Sequence, residues 1–380
     1  MLLLIPGPVT TDARVKAAMA QDYAPWDNEF RALYRQVCAG VLRVAQADAA
    51  HHEALALPGC GHFAVEAAIR TFVPAGGRLL APSTGAYASR LQKLAADAGR
   101  VAVPLAVGTR ERVDPQAVAR ALEQDPTLTH VALVYSETGS GICHDVPELA
   151  RVAHALGRRV IVDAVSAFGA LPLDLAALPA IDAVVLTANK CLEGLPGAAF
   201  VVARRDRLQA AQGNAGSWSL DLADIYQHTL APNAGPRFTP PAPTLAALAV
   251  ALDLYHQEGR EARLARYTAN MRTLYDGVAG LGLTPYLTPD LQGPIVVNVH
   301  APDAPTWNLQ LFVDALKQRG FVLSNFTNTE QPTFRVGCIG AFGPDQMRLA
   351  VDAMGGALQD LGISRDHAGH ARFVPQPLTA

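Results

Sequence analysis

Between residues 54 and 203 the chain alternates short, nearly unbroken apolar runs with longer stretches of helical spacing. The runs fall at 54–57, 78–81, 101–107, 130–135, 159–165, 181–186 and 198–203. Helices are expected between them at 62–72, from 88 to about 98, after Asp114, and from about 147 to 156. Asp114 is a natural N-cap followed by Pro115 at the first helical position, and Gly157 ends the last of these helices. Strands without polar alternation are buried on both faces, and strands separated by helices pair in parallel. The pattern therefore predicts an α/β fold with a mainly parallel sheet covered on both sides.

The flanks read differently. Residues 1–11 form an extended arm, because Pro6-Gly7-Pro8 forbids helix and leaves backbone amides available. A short helix over 11–19, a loop at 23–30 and a helix over 30–45 follow. Residues 208–243 are polar, rich in proline and irregular, and a stretch that long in a compact chain is usually functional. Helices at 244–258 and 261–280 lead to a smaller α+β unit, with strands at 295–299, 321–323 and 333–336 and helices at 308–319 and 344–361. The expected division is an arm (1–11), a large domain (12–260), a small C-terminal domain (261–363) and a tail (364–380) without fixed structure.

Composition narrows the functional classes. With 31 basic and 34 acidic residues the net charge is −3, which gives no special affinity for nucleic acid or an anionic membrane. Five scattered cysteines (Cys38, Cys60, Cys143, Cys191, Cys338) with no C-x-x-C argue for free thiols in a reducing compartment and against a zinc site. The apolar start ends at Pro6, too short for a signal peptide, so a soluble cytoplasmic protein is expected.

Chemistry concentrates where strands end. Ser136-Glu137-Thr138, Asp163 in V-I-V-D-A-V-S and Asn189-Lys190 all follow apolar runs, and neighbouring strands would open these ends into one crevice. Lys190 is either an ordinary lysine ending a strand or a nucleophile that holds an aldehyde cofactor as a Schiff base. Asp163 must find a partner or stay protonated; a turn N–H, an arginine or the protonated ring nitrogen of a pyridine cofactor would serve. The turn G-C-G-H at 59–62 opens a helix and suits an anion. No acidic residue ends the following strand, as a dinucleotide site requires, so a mononucleotide-sized phosphate fits better. Tyr87 is placed to lie on a planar group or to pack beneath a loop. Arg335, in F-R-V-G-C-I-G, needs an anion, either a substrate or an internal carboxylate.

Taken together, G-C-G-H, G-A-Y (85–87), S-E-T (136–138), V-D-A-V-S (162–166), N-K (189–190) and R-V-G (335–337) resemble the class V group of fold-type I aminotransferases, which use pyridoxal 5′-phosphate. Within the group, L-L-I-P-G-P-V-T-T (3–11), P-W-D (25–27), A-V-E-A (64–67), A-N-K-C-L-E-G-L-P-G (188–197), S-L-D-L (219–222) and R-F-T-P-P (237–241) look most like the branch that transfers an amino group from 2-aminoethylphosphonate to pyruvate. The resemblance implies a seven-stranded sheet and a homodimer. Lys190 and Asp163 would be catalytic, Lys190 carrying the cofactor and Asp163 pairing with its ring nitrogen. Cys60, Gly61, His62 and Asn189 would hold the phosphate, with Tyr87, Thr138 and Val165 around the ring. Thr239 would reach the neighbouring subunit's phosphate, while Arg335 and the backbone of Gly7 would bind the substrate's acid group.

Three motifs depart from the phosphonate branch. G-C-G-H replaces a turn with two hydroxyls and costs a hydroxyl donor to phosphate, while E-T-G-S-G (137–141) and T-P-P-A-P-T (239–244) differ around the substrate and cofactor. An alanine–glyoxylate or serine–pyruvate type of aminotransferase is the alternative of the same family. A desulfurase-like lyase is a more distant one, and would need a reactive cysteine such as Cys338 on a mobile loop.

Overall fold

The computed structural model describes residues 1–327, 329–365 and 371–373. Its centre is a seven-stranded sheet in the order His52–Gly59, Gly197–Arg204, Ile181–Thr187, Arg159–Asp163, Leu128–Val134, Arg78–Ser83, Val101–Ala106. All seven apolar runs are strands of this one sheet. Gly197–Arg204 runs against both of its neighbours and the remaining pairs are parallel. Its direction was not legible in the apolar run; it follows from the tight return at 188–197 that leaves Lys190 between two adjacent strands.

Helices cover both faces, as the lack of alternation requires. One face packs Asn28–Val44, Val146–Ala155 and Ala242–Glu258 through residues such as Phe30, Val41, Leu149 and Leu248. The other packs Gly61–Phe72, Ala86–Asp97 and Leu222–Thr229 through Ile69, Leu91 and Tyr226. A separate core in the C-terminal part centres on Leu274, Phe312, Phe334 and Met354. The long helix Arg260–Gly280 starts after Gly259, whose φ of 83° suits glycine, and carries the chain from the first pair of cores to the third.

Several sequence expectations need correction. The segment 208–243 is not irregular throughout: it holds Leu222–Thr229 and is entered by the helix Arg205–Ala210. The signal was Asp221, which caps the N–H groups of Ala223 and Asp224. The second helix starts at Asn28, with Asp27 accepting from the Phe30 N–H, so it takes in part of the expected loop. The tail from Ser364 was expected to lack fixed structure, yet Ile363–Arg365 pairs antiparallel with Ala371–Phe373; residues 366–370 and 374–380 lie outside the described residues. The arm is extended as expected, and Leu2–Leu3 joins Phe321–Val322 as a parallel strand. Among the described residues no helix is long and apolar enough to cross a membrane.

Candidate active site

The strand Ile181–Thr187 ends where the Thr187 hydroxyl donates to Asn189 Oδ1 (2.8 Å) and Ala198 O (3.1 Å). These bonds turn the chain and aim Lys190 back across the carboxyl ends of the strands. Its Nζ donates to the Pro6 carbonyl at 2.8 Å, so the arm closes over the lysine. Gly7 has a φ of 140°, and a Cβ there would lie 2.3 Å from Lys190 Cδ; only glycine lets the arm pass. Burial first and then the charge of Arg335 bring the Lys190 ammonium down to about 8, against the opposite pull of Cys191 and Asp163.

The backbone after the lysine is fixed by charges that sequence reasoning missed. Arg263 Nη1 donates to the Cys191 carbonyl at 2.9 Å. Glu193 receives Arg266 at 2.9 Å and the Tyr267 hydroxyl at 2.6 Å. These partners lie about 75 residues on and share one helix, a relation no local pattern reveals. Burial pushes the Cys191 thiol up to about 12, which suits a packing role beside the lysine.

Asp163 ends the adjacent strand, where Oδ1 accepts the Val165 N–H at 3.0 Å. Burial outweighs this hydrogen bond and the charges of Lys190 and Arg90 and leaves its carboxyl raised, at about 6. Across the cavity the helix Gly61–Phe72 begins at Cys60 with no side-chain cap. A Cβ on Gly61 would lie 2.5 Å from Val165 Cγ2, and one on Gly59 2.8 Å from Phe63 Cδ2. Both glycines of the turn are therefore demanded by close packing against Phe63 and Val165.

Tyr87 opens the helix Ala86–Asp97. Glu137, fully buried, accepts the N–H groups of Tyr87 (3.2 Å), Ala88 (3.3 Å) and Gly139 (3.2 Å). This gives the strand-end glutamate a role its motif did not reveal: it anchors the segment that presents the tyrosine. Arg335 hydrogen-bonds Tyr87, and its guanidinium lies 4.4 Å from the centroid of the half-exposed Phe326 ring.

Comparison with known proteins decides what this cavity belongs to. The model of the aminotransferase class-V family matches residues 15–330. The chain belongs to this family. The 2-aminoethylphosphonate–pyruvate transaminase of Burkholderia ambifaria (strain MC40-6) is 44% identical over 365 residues, 96% of this chain and 97% of that protein. Its counterpart 1 in Cupriavidus pinatubonensis (strain JMP 134 / LMG 1197) is 40% identical over 372 residues, 98% of each chain. Among solved structures, pyridoxamine-pyruvate aminotransferase from Mesorhizobium loti superposes with a TM-score of 0.87 at 26% identity, covering 95% of this chain and 93% of that one.

In this class V aminotransferase one cavity is lined by Cys60, Gly61, His62, Tyr87, Asp163, Val165, Asn189 and Lys190, all expected from the sequence. Arg90 and Thr187 also line it and were not anticipated. Gly7 and Arg335 adjoin Lys190 from the arm and the C-terminal part. Thr138 does not line the cavity; it is buried, its hydroxyl donating to Ser166 Oγ at 3.4 Å. Thr239 does not line it either and is exposed on its own chain. Cys338 follows the strand Thr333–Gly337 directly and is fully buried in the C-terminal core, with its thiol pushed well up by burial. It is not the mobile, reactive cysteine a desulfurase requires.

Proposed function

We propose that this class V aminotransferase uses pyridoxal 5′-phosphate to move the amino group of 2-aminoethylphosphonate to pyruvate, giving phosphonoacetaldehyde and alanine. The observation that carries the chemistry is a half-buried amine, Lys190, lowered to about 8, in one cavity with a half-buried carboxyl, Asp163, raised to about 6. The choice of donor rests on relatives of that name at 44% and 40% identity.

The cavity fits the cofactor. Its helix start has no side-chain cap and opens on the cavity, which suits a phosphate held by Cys60, Gly61, His62 and Asn189. When bound, the cofactor supplies an aldehyde carbon and a ring that takes up an electron pair. Asp163 would keep a proton on the ring nitrogen, a partner that suits a carboxyl at an apolar strand end. Tyr87 and Val165 would pack against the ring, and Thr138 would stand near its ring oxygen. Lys190 serves as nucleophile and then as the base that moves the substrate's proton; its lowered basicity leaves a usable fraction of Nζ as free amine at neutral pH. Arg335 and the Gly7 backbone hold the substrate's acid group, and the arm at Pro6–Gly7 keeps water from the amine.

The enzyme works as a soluble, cytoplasmic homodimer in this reading, with Thr239 turned outward to reach the cofactor of a second copy. A large cofactor-binding domain ends near residue 260, and the small domain that follows carries Arg335; separate hydrophobic cores on either side of Gly259 support that division. The test is a donor panel read by the visible absorbance of the bound cofactor. 2-Aminoethylphosphonate alone should bleach the band and pyruvate restore it. Bleaching by alanine or serine with no response to the phosphonate would overturn the donor assignment.

A further inference from the structure

Arg335 lies in a two-stranded antiparallel ribbon, Val296–His300 with Thr333–Gly337, and the residue directly opposite it is Asn298. Cross-strand partners share a face. The alternate residues Val297, Val299, Phe334 and Val336 all enter the C-terminal core, so Asn298 and Arg335 share the other face. That face looks toward the site, since Arg335 bonds Tyr87 and its charge is felt by Lys190. The loop carrying Thr138 closes on the same ribbon: a Cβ on Gly141 would lie 2.6 Å from the Val296 carbonyl.

Asn298 is 1% exposed, and neither Nδ2 nor Oδ1 of its side chain has a hydrogen-bond partner. Its backbone is engaged, the carbonyl accepting the Tyr286 N–H at 2.8 Å. A buried amide with nothing to bond to is destabilising, and an apolar residue of that size would pack there without penalty. The amide's position beside the arginine expected to take the substrate's acid group indicates what it bonds.

Resting on the reading above, we propose that Asn298 selects a phosphonate over a carboxylate by donating from Nδ2 to the oxygen that Arg335 leaves unserved. A guanidinium presents a planar fork that matches two oxygens, which satisfies a carboxylate completely. A phosphonate has three terminal oxygens on a tetrahedral phosphorus, so one projects out of the fork's plane and needs its own donor. A second amine or guanidinium would serve both anions; a neutral amide adds a donor that only the three-oxygen group uses fully.

The experiment compares 2-aminoethylphosphonate with alanine as donors in half-reactions of the holoenzyme, in wild type, Asn298→Leu and Asn298→Ser. In Asn298→Leu the ratio of kcat/KM for the phosphonate to that for alanine should fall about tenfold or more, chiefly through KM. Asn298→Ser, which retains a donor, should recover part of that ratio. Inhibition by methylphosphonate should weaken more than inhibition by acetate. The Tm of Asn298→Leu should hold or rise, because an unbonded polar group is removed. Equal losses for both donors, or an unchanged ratio, would overturn the proposal; so would a lowered Tm with the ratio intact, which marks a structural asparagine. A wild-type enzyme that responds to alanine but not to the phosphonate would instead overturn the donor assignment on which the proposal rests.

Discussion

Two aspartates on adjacent strands, Asp163 and Asp182, sit at opposite ends of the same sheet and are treated in opposite ways. Asp182, near the start of Ile181–Thr187, is fully buried and accepts from His130 (3.3 Å), Arg159 Nε (2.7 Å) and Arg207 (3.4 Å). Burial pushes its carboxyl up, yet His130 and Arg159 outweigh that and hold it below the ordinary range. Asp163, at the end of Arg159–Asp163, has a backbone N–H and more distant cations, and its carboxyl rises to about 6. One carboxylate is surrounded until it is inert. The other is left wanting a proton or a cationic partner, which is the condition of a group awaiting a ligand. Under-satisfaction, at a carboxylate only half-buried beside a cavity, separates site from scaffold here.

The contrast breaks most sharply under the same substitution at both positions. Asp163→Asn should lower turnover by about 10²–10³-fold, since the amide cannot hold a proton on a ring nitrogen. In the cofactor-free protein it should leave stability at neutral pH unchanged or raised, because it removes a carboxylate whose charge burial disfavours. Asp182→Asn should do the reverse. It removes a buried charge from two arginines and a histidine, at about 3 kcal/mol, while turnover per folded molecule stays near wild type. Steady-state rates and thermal melts of both variants measure this. Similar activity losses in the two would erase the distinction.

The sequence drew half of that distinction. Both aspartates lie in apolar runs, and the argument that a buried carboxylate needs a partner applies equally to each, so which one has its partners was not legible. Asp163 stood out because it closes its run, at the end where ligands gather, whereas Asp182 lies near the start of its own. Strand and helix periods were legible because burial on both faces writes itself into consecutive residues. The expected cavity residues were legible because strand ends and glycine turns are local features. What escaped was non-local: Arg263 and Arg266, which bond the Lys190 loop from a distant helix, Glu137 bonded to the Tyr87 N–H, and Asn298 opposite Arg335. Thr138 and Thr239 were named through the family pattern, and the single chain leaves both outside the cavity lining.

Lys190 extends the same comparison to pH. Its ammonium is lowered from 10.5 to about 8 because burial disfavours the charge. Between those two values the unfolded chain binds the proton and the native chain does not, so in this window the group makes the cofactor-free protein more stable as pH rises. Asp163 acts oppositely: its carboxyl titrates near 6 when folded and near 3.8 when unfolded, so stability falls as pH rises between them. Reductive methylation of Lys190 in the cofactor-free protein, followed by peptide mass analysis, should accelerate about tenfold per pH unit up to about pH 8 and then level off. A rate still climbing at pH 10 would place Lys190 with ordinary surface lysines.

Glu137 lies between the two aspartates in character, fully buried but satisfied by three backbone N–H groups and by no cation among those bonds. Burial raises its carboxyl, and the start of the helix Ala86–Asp97 favours its charge. Glu137→Gln puts an NH₂ group against one of those donors and should loosen Tyr87. Cofactor affinity should drop about tenfold, with a weaker circular dichroism band from the bound cofactor. An unchanged band with lowered Tm would make the residue purely structural.

The smallest expected effect tests the phosphate turn. Cys60 is the N-cap of Gly61–Phe72, makes no side-chain capping bond and is exposed. A serine there adds an oxygen that can accept a free N–H of the first turn, or donate to an anion bound at the same place. Cys60→Ser should therefore stabilise the cofactor-free protein by about 0.5–1 kcal/mol and slow loss of the cofactor a few-fold. The two gains compete for one hydroxyl. If the cap is the stronger partner, Tm rises without slower cofactor loss; if the phosphate is stronger, the gain appears only in the loaded enzyme. Dialysis half-life and melting temperature, each measured with and without cofactor, separate the cases. No change in either would mean that the backbone N–H groups alone satisfy the anion at this turn.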